Sequence, residues 1–143
     1  MSWIVGVEGV RGAFPDGCAA TMGVFDGVHR GHAALIEATT RWAHAQGAPA
    51  VALTFDPHPA ALLAPQHCPP LLCTLAHRVE RLLQQGIDYV VVQPFTPGFA
   101  QLSAEEFIDR VLNQGLKARA LVVGDDFRFG RGRKGSVDTL RAA

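Results

Sequence analysis

Short apolar runs alternate along this chain with stretches in which apolar residues recur at helical spacing. The apolar runs cover residues 3–7, 19–22, 50–54, 89–92 and 120–123. Apolar residues at helical spacing fill 32–45 and recur from Leu75 to Leu83 and from Phe107 to Leu112. This alternation predicts repeated β-α units and a parallel sheet. We therefore expect an α/β fold, specifically a Rossmann-like open parallel sheet with helices on both faces.

Local signals mark the ends of the predicted helices. Gly47 ends the first helix, and Thr74 and Gly86 are the predicted N-cap and end of the second. Ser103 and Glu106 have the spacing of a capping box at the start of the third. The buried stripe predicted for the first helix consists of Leu35, Ala38, Trp42 and Ala45.

Composition indicates one folded domain. The 143 residues are 48% hydrophobic and 18% charged, which is enough apolar material for a buried core. Thirteen Lys and Arg balance thirteen Asp and Glu, so wholesale binding to a polyanion is not expected. The longest apolar run, Ala60–Ala64, is far too short to span a membrane, and the first residues lack a signal peptide pattern. We expect a cytoplasmic protein with neither a membrane nor a nucleic-acid partner.

The cysteines do not predict a metal site. His67, Cys68, Cys73 and His77 lie close together in the sequence. Two prolines separate the cysteines, and His77 falls inside a predicted helix, so the spacing is poor for structural zinc. We expect Cys18, Cys68 and Cys73 to be free thiols.

Three polar clusters follow predicted strands, at residues 23–32, 56–59 and 124–135. In open α/β sheets, ligands bind beyond the carboxyl ends of the strands, where the strand order reverses. The three clusters therefore predict a ligand site at that edge of the sheet.

The first cluster has the composition of a phosphate-binding loop. Gly23, Gly27 and Gly31 allow the backbone to approach a ligand closely. The loop leads into a helix N-terminus, where free N–H groups and the helix dipole favour phosphate. His29 and His32 are three residues apart, so both imidazoles can face the same side and donate hydrogen bonds to phosphate.

The other two clusters leave alternatives open. Asp56–Pro59 predicts a rigid turn at a strand end, either beside a ligand or as a purely structural turn. Residues 127–134 hold four cations and no anion, which suits either an anion-attracting loop or a solvated basic loop. Gly130–Gly135 formally matches the dinucleotide-binding pattern but does not follow its strand immediately. RNA binding by this loop has little support from the sequence.

These motifs together carry a resemblance to a known family. His29-Arg30-Gly31-His32 resembles the signature of the nucleotidyltransferase superfamily, and the longer string 23–32 resembles the FMN adenylyltransferase module of bacterial FAD synthetases. Thr54–Pro59, Ser103–Ile108 and Val122–Gly130 also fit the pattern of that family, in the same order and at similar spacing. The resemblance covers nearly the whole chain.

The resemblance implies transfer of AMP from ATP to FMN, with Mg²⁺, giving FAD and pyrophosphate. It implies that His29 and His32 are catalytic, holding the ATP phosphates and stabilising the transition state. The residues implied in ATP binding are Gly23, Phe25, Asp26, Gly31, Gly124 and Asp126. Those implied in flavin binding are Asp56, Pro57, His58, Pro59, Asp125 and Phe127.

The chain also departs from the pattern of the family. Val24 stands where members commonly have Asn. The Ser-Ser-Thr-x-x-Arg stretch that helps to grip the triphosphate is not among these residues, nor is the riboflavin kinase domain that usually follows. We expect 1–143 to be a single nucleotidyltransferase-like domain, incomplete at its C-terminal end. Two alternatives stay open: an adenylyltransferase with another phosphate acceptor, and a non-catalytic module that binds flavin or adenine nucleotide.

Overall fold

The computed structural model describes residues 3–10, 12–23, 25, 30–56, 74–124 and 127–142. The strands are β1 (Trp3–Val5), β2 (Cys18–Met22), β3 (Ala50–Asp56), β4 (Tyr89–Pro94) and β5 (Ala118–Val122). All neighbouring strands are parallel, in the order β1-β4-β3-β2-β5. The predicted parallel sheet is therefore confirmed. The first strand is shorter than predicted, because Gly6 takes a φ of +79° and a 3-10 turn begins at Val7.

The described helices are α1 (Arg30–Gln46), α2 (Leu75–Gln84), α3 (Pro97–Ala100), α4 (Ala104–Phe107) and α5 (Val137–Ala142). A π-helical segment, Ile108–Gly115, continues α4. The predicted caps are confirmed: the Thr74 hydroxyl accepts from His77 N, and Ser103 and Glu106 form both bonds of the capping box. Within the described ranges no helix is both long and apolar enough to cross a bilayer.

Two apolar cores lie on opposite faces of the sheet. Val51 and Leu53 point to the face that packs with Phe107 and Val111, from α4 and its π-helical continuation. The intervening residues, such as Ala52, point to the other face, where α1 and α2 pack. This alternation is the period of two expected of a strand with both faces covered. It confirms the prediction of helices on both faces.

The buried stripe of α1 differs from the prediction by one position. Ile36, Thr39 and Ala43 are buried, whereas Ala38 and Ala45 are exposed. The prediction followed Trp42, the largest apolar residue, but this ring is only half-buried and lies 5.7 Å from the Arg119 guanidinium carbon. The smaller Thr39 and Ala43 let the helix approach an alanine-rich part of the sheet closely, which favours burying their side of the helix.

The strand order reverses at β2. From β2 the chain proceeds through β3 to β4 on one side, and then crosses back to place β5 on the other side of β2. The carboxyl ends of β2 and β5 therefore flank the reversal point, which is where ligands bind in folds of this kind.

Candidate active site

The strands that carry the three polar clusters are neighbours in the sheet. Asp56 is the last residue of β3, and β3 pairs with β2, which in turn pairs with β5. Gly23 and Gly124 each lie two residues beyond the paired Thr21 and Val122. The predicted placement of the clusters at strand ends is confirmed for these described residues. All three loops thus leave the same edge of the sheet on adjacent strands.

The N-terminus of α1 lies at this edge. Its first turn contains Gly31 and His32 and no acidic side chain, so the positive end of the helix dipole is not neutralised locally. His32 is half-buried, and its Nδ1 is shielded from solvent. The arrangement is suited to an anion, since a helix start offers free N–H groups together with partial positive charge.

Phe25 is buried between the end of β2 and the first turn of α1. It has no exposed surface, and its backbone takes a φ of +57°, a conformation that bulky residues rarely adopt. A Cβ at Gly23 would lie 3.4–3.5 Å from its ring, and the His32 ring stands edge-on to it with centroids 5.2 Å apart. The ring of Phe25 therefore packs against Gly23 and His32, which the same resemblance implies, like Phe25, to contact ATP.

A buried cation lies beside the end of β3, and the sequence analysis did not predict it. The side chain of Arg78, on α2, is only 3% exposed, and its Nη2 lies 3.8 Å from Asp56 Oδ1. Its Nη1 donates to the Phe55 carbonyl at 3.5 Å. The signal was present in the sequence: with Leu75 and Leu82, Arg78 has the i, i+3, i+7 spacing of the apolar face of this helix.

The loop after β5 is held against the start of α4. Phe129 and Gly135 form an antiparallel bridge, and Phe127 stacks on Phe129 with centroids 5.9 Å apart. Arg131 N donates to the Leu102 carbonyl at 2.6 Å. The formal glycine pattern of this loop is therefore part of a closed, docked turn. Its four cations, Arg128, Arg131, Arg133 and Lys134, are exposed.

The pKa of Glu106 is lowered by its position in the capping box at the start of α4. Its carboxylate accepts from Ser103 N at 3.0 Å, and Glu106 N donates to the Ser103 hydroxyl at 3.1 Å. These hydrogen bonds, with smaller contributions from the Arg110 and Arg131 charges, lower the pKa of Glu106. At neutral pH the group is therefore ionised and reinforces the start of α4.

The Cys18 thiol is unreactive. Burial raises the pKa of its thiol to about 12, and the Sγ donates to the Leu116 carbonyl at 3.3 Å. Because the thiolate is the reactive form, this thiol is protected from oxidation and alkylation.

Several predicted residues lie outside the described ranges. They are Asp26, His29, Pro57, His58, Pro59, Asp125 and Asp126, with Val24 and the cluster His67, Cys68 and Cys73. Their roles stay predictions. Among the described residues no group of three or more His, Cys, Asp or Glu is placed to hold a metal ion.

A cavity of about 420 Å³ lies at the opposite edge of the sheet. It is lined by Thr40, Arg41, Ala43, His44, Ala48, Ala50, Gly86 and Asp88. Asp88 accepts from Ala50 N at 2.8 Å, which fixes the start of β3. Since the three polar loops leave the other end of the strands, we do not assign this cavity to the nucleotide.

The sequence matches a family model over most of its length. Residues 12–143 match the model described as FAD synthetase. The bifunctional riboflavin kinase/FMN adenylyltransferase of Escherichia coli K12 is 38% identical over 143 residues, covering 100% of this chain and 46% of that protein. The protein of the same name from Pseudomonas fluorescens is 40% identical over 139 residues, covering 96% of this chain and 44% of its own length. The chain thus spans about half the length of these curated relatives.

A solved structure shares the fold. A crystal structure described as a macrolide-efflux protein from Streptococcus pneumoniae superimposes with a TM-score of 0.82 at 26% identity. The match covers 99% of this chain and 47% of that one. It supports the α/β architecture and the order of its elements.

Proposed function

Because this chain belongs to the FAD synthetase family, we propose that it carries an FMN adenylyltransferase site that makes FAD and pyrophosphate from FMN and ATP. One observation carries the proposal: β2, the strand that precedes α1, lies between β3 and β5, whose ends bear the other two motifs. We further propose that the reaction takes place in the cytoplasm, where ATP is supplied, and that riboflavin kinase activity resides outside these 143 residues.

The ATP phosphates are assigned to the loop between β2 and α1. Gly23 and Gly31 present backbone without side chains, and the first turn of α1 adds positive partial charge without a competing carboxylate. His29 and His32 are the proposed catalytic donors to the phosphates. Because Nδ1 of His32 is shielded, a phosphate approaching from solvent would meet its Nε2.

The reaction requires positioning more than acid–base chemistry. An oxygen of the FMN phosphate attacks the α-phosphorus of ATP, and the bond from that phosphorus to the oxygen bridging the β-phosphate breaks as pyrophosphate leaves. The phosphate of FMN already carries about −1.5 to −2 charges, so no base is needed to activate it. The work of the protein is to align the two phosphates and to offset developing negative charge.

Mg²⁺ would supply the remaining positive charge on the phosphates. This ion usually keeps several waters and takes only one or two carboxylates beside the phosphates. Asp26, Asp125 and Asp126 are the acidic residues that the sequence places in the two loops flanking the reversal point, and we propose that its protein ligands come from among them.

The two organic groups are assigned to the flanking loops. Gly124 and Asp126 are proposed to contact ATP, and Asp125 and Phe127 to contact the flavin from the same loop. The stretch Asp56–Pro59 is proposed to contact the flavin from β3. The half-buried Phe127 and the partly exposed Asp56 carboxylate support this division, since each retains surface at the carboxyl edge.

The test is FAD formation by the full-length protein that carries this chain. With ATP, Mg²⁺ and FMN, chromatography should show FAD and equimolar pyrophosphate, and chelation of Mg²⁺ should stop the reaction. His32→Asn should lower kcat about 100-fold, because the shorter amide cannot donate to the transition state from the position of the imidazole Nε2. The matched control is His44→Asn, at the exposed far end of the same helix, which should leave the rate unchanged.

Other outcomes separate the alternatives. FMN and ATP binding without FAD formation would show a binding module and contradict the proposal. Transfer of AMP to a nicotinamide or pantetheine phosphate but not to FMN would keep the chemistry and overturn the acceptor.

A further inference from the structure

Arg78 is the one charged side chain that is buried among the described residues of the chain. Removing a guanidinium from water is costly unless the protein supplies compensating partners. The structure supplies the Asp56 carboxylate, 3.8 Å from Nη2, and the Phe55 carbonyl, 3.5 Å from Nη1. A buried cation in the apolar face of α2 is therefore directed at the last two residues of β3.

These two residues are where the chain leaves the sheet for the proposed flavin-binding stretch. Asp56 is ion-paired on one side, yet its side chain is 43% exposed. The Phe55 ring, by contrast, is buried in the core on the face of the sheet away from α2. The ring therefore anchors the strand, while the Phe55 carbonyl accepts a hydrogen bond from Arg78. A planar guanidinium can hold a carbonyl and a carboxylate at once, whereas an ammonium provides a single point of attachment.

We infer that Arg78 is a positioning residue for the acceptor substrate: it holds the end of β3 so that the Asp56 carboxylate meets FMN in the productive orientation. The inference rests on the proposed function. Arg78 acts through Asp56 and Phe55 and does not touch the nucleotide. Because the proposed ATP phosphate site is built on β2 and α1, the effect of Arg78 falls on FMN and not on ATP.

The experiment measures steady-state FAD formation by the full-length protein with each substrate varied in turn. Arg78→Lys keeps the charge but loses the planar guanidinium that contacts Asp56 and the Phe55 carbonyl together. It should raise KM for FMN about tenfold, while KM for ATP stays within twofold. Arg78→Met should raise KM for FMN further. The control is Arg81→Met, an exposed position on the same helix, which should change neither KM.

The partner side chain provides a second approach should Arg78→Met not fold. Asp56→Asn should also raise KM for FMN, and the double variant with Arg78→Lys should be less impaired than the product of the two single effects, because both act through one contact. Multiplicative effects would contradict the coupling.

A merely structural role predicts a different pattern. It would lower the melting temperature and the active fraction, hence kcat, with both KM values unchanged; that result, or an equal rise in both KM values, overturns the inference.

If the wild-type protein makes no FAD, the proposed function fails. The inference is then decided by flavin fluorescence: weaker FMN binding in Arg78→Lys, with binding of an ATP analogue unchanged, supports it. Flavin bound at any other site would be the same in both proteins.

Discussion

At Phe25, an unfavourable backbone conformation coincides with complete burial. Left-handed φ values at bulky residues carry a free-energy penalty of about 1–3 kcal/mol and persist only where the surroundings enforce them. Here the ring packs into the core with α1 and contacts Gly23 and His32. The packing of this one side chain therefore ties Gly23, just beyond β2, to His32 in the first turn of α1.

We predict that Phe25→Leu weakens ATP binding about tenfold, because the loop loses the ring that positions Gly23 and His32. The control is Phe14→Leu, a buried ring on the other face of the sheet that packs against Tyr89. Both variants should lose about 1–2 kcal/mol of unfolding free energy, but calorimetric titration should show weaker ATP binding only for Phe25→Leu. Equal ATP affinity in the two variants would contradict a supporting role for Phe25.

Some candidate site residues could be proposed from the sequence, and others became evident only in the folded structure. The glycines and histidines of 23–32 could be proposed from the sequence because their types and spacing suit a phosphate, and their role stays a prediction. Arg78 was missed because its importance depends on burial against Asp56, a residue 22 positions earlier that α2 meets only in the folded protein.

Among the elements, α4 provides the surface on which the loop after β5 packs. Its capping box fixes its first turn, and the loop after β5 is packed on its N-terminus through Gly130. The rigidity of the proposed adenine- and flavin-contacting loop therefore depends on a helix start that lies outside the three polar clusters.

The lowered pKa of Glu106 predicts a pH-dependent contribution to stability. Its folded-state pKa lies below the ordinary value of 4.5, so the contribution is present above that pH and is lost as the pH falls through the folded-state pKa. Urea unfolding of Glu106→Gln should show reduced stability at pH 7 and a difference from wild type that disappears in acid. Glu105→Gln, which removes the neighbouring exposed carboxylate outside the capping box, is the matched control for loss of a charge at the same helix start. Parallel pH profiles for wild type and Glu106→Gln would refute the linkage.

Gly130 permits the loop to approach α4 closely. A Cβ at this position would lie 2.8 Å from Ala104 N, and φ is +78°. Gly130→Ala should lower the free energy of unfolding by about 3 kcal/mol, from backbone strain plus the clash. Gly132→Ala, in the same loop at φ +65° with its nearest contact 3.9 Å away, should lose only about 1 kcal/mol. Denaturant titration measures both, and equal losses would show that the close approach to α4 is unimportant.

Elements were predictable wherever a local rule governs them. Thr74, Ser103 and the strand-forming runs act within a few residues, and the structure confirms them. The buried side of α1 was not predictable in this way, because the fit of Thr39 and Ala43 against the sheet decided it. The π-helical continuation of α4 also had no local signal.

For the whole molecule, the proposed function and the strand order together predict that nucleotide binds only at the carboxyl ends of the strands. Hydrogen exchange with a non-hydrolysable ATP analogue should slow amides of residues 23–32 and 124–135, while amides lining the opposite cavity near Thr40 and Gly86 stay unchanged. At a hundredfold excess over Kd, binding should also add about 2.7 kcal/mol to the free energy of unfolding. Protection centred on Thr40 and Gly86 would place the nucleotide at the wrong end of the sheet for this proposal.

Periodicity, caps and glycine-rich turns act over a few residues, so the order of amino acids alone was enough to infer the α/β class and nearly every element, and to propose a phosphate-binding loop. The strand order, the adjacency of β3, β2 and β5, the burial of Phe25 and the contact of Arg78 with Asp56 could not. Each of them joins residues far apart in the chain, and only the packing of helices on the two faces of the sheet selects which distant segments meet.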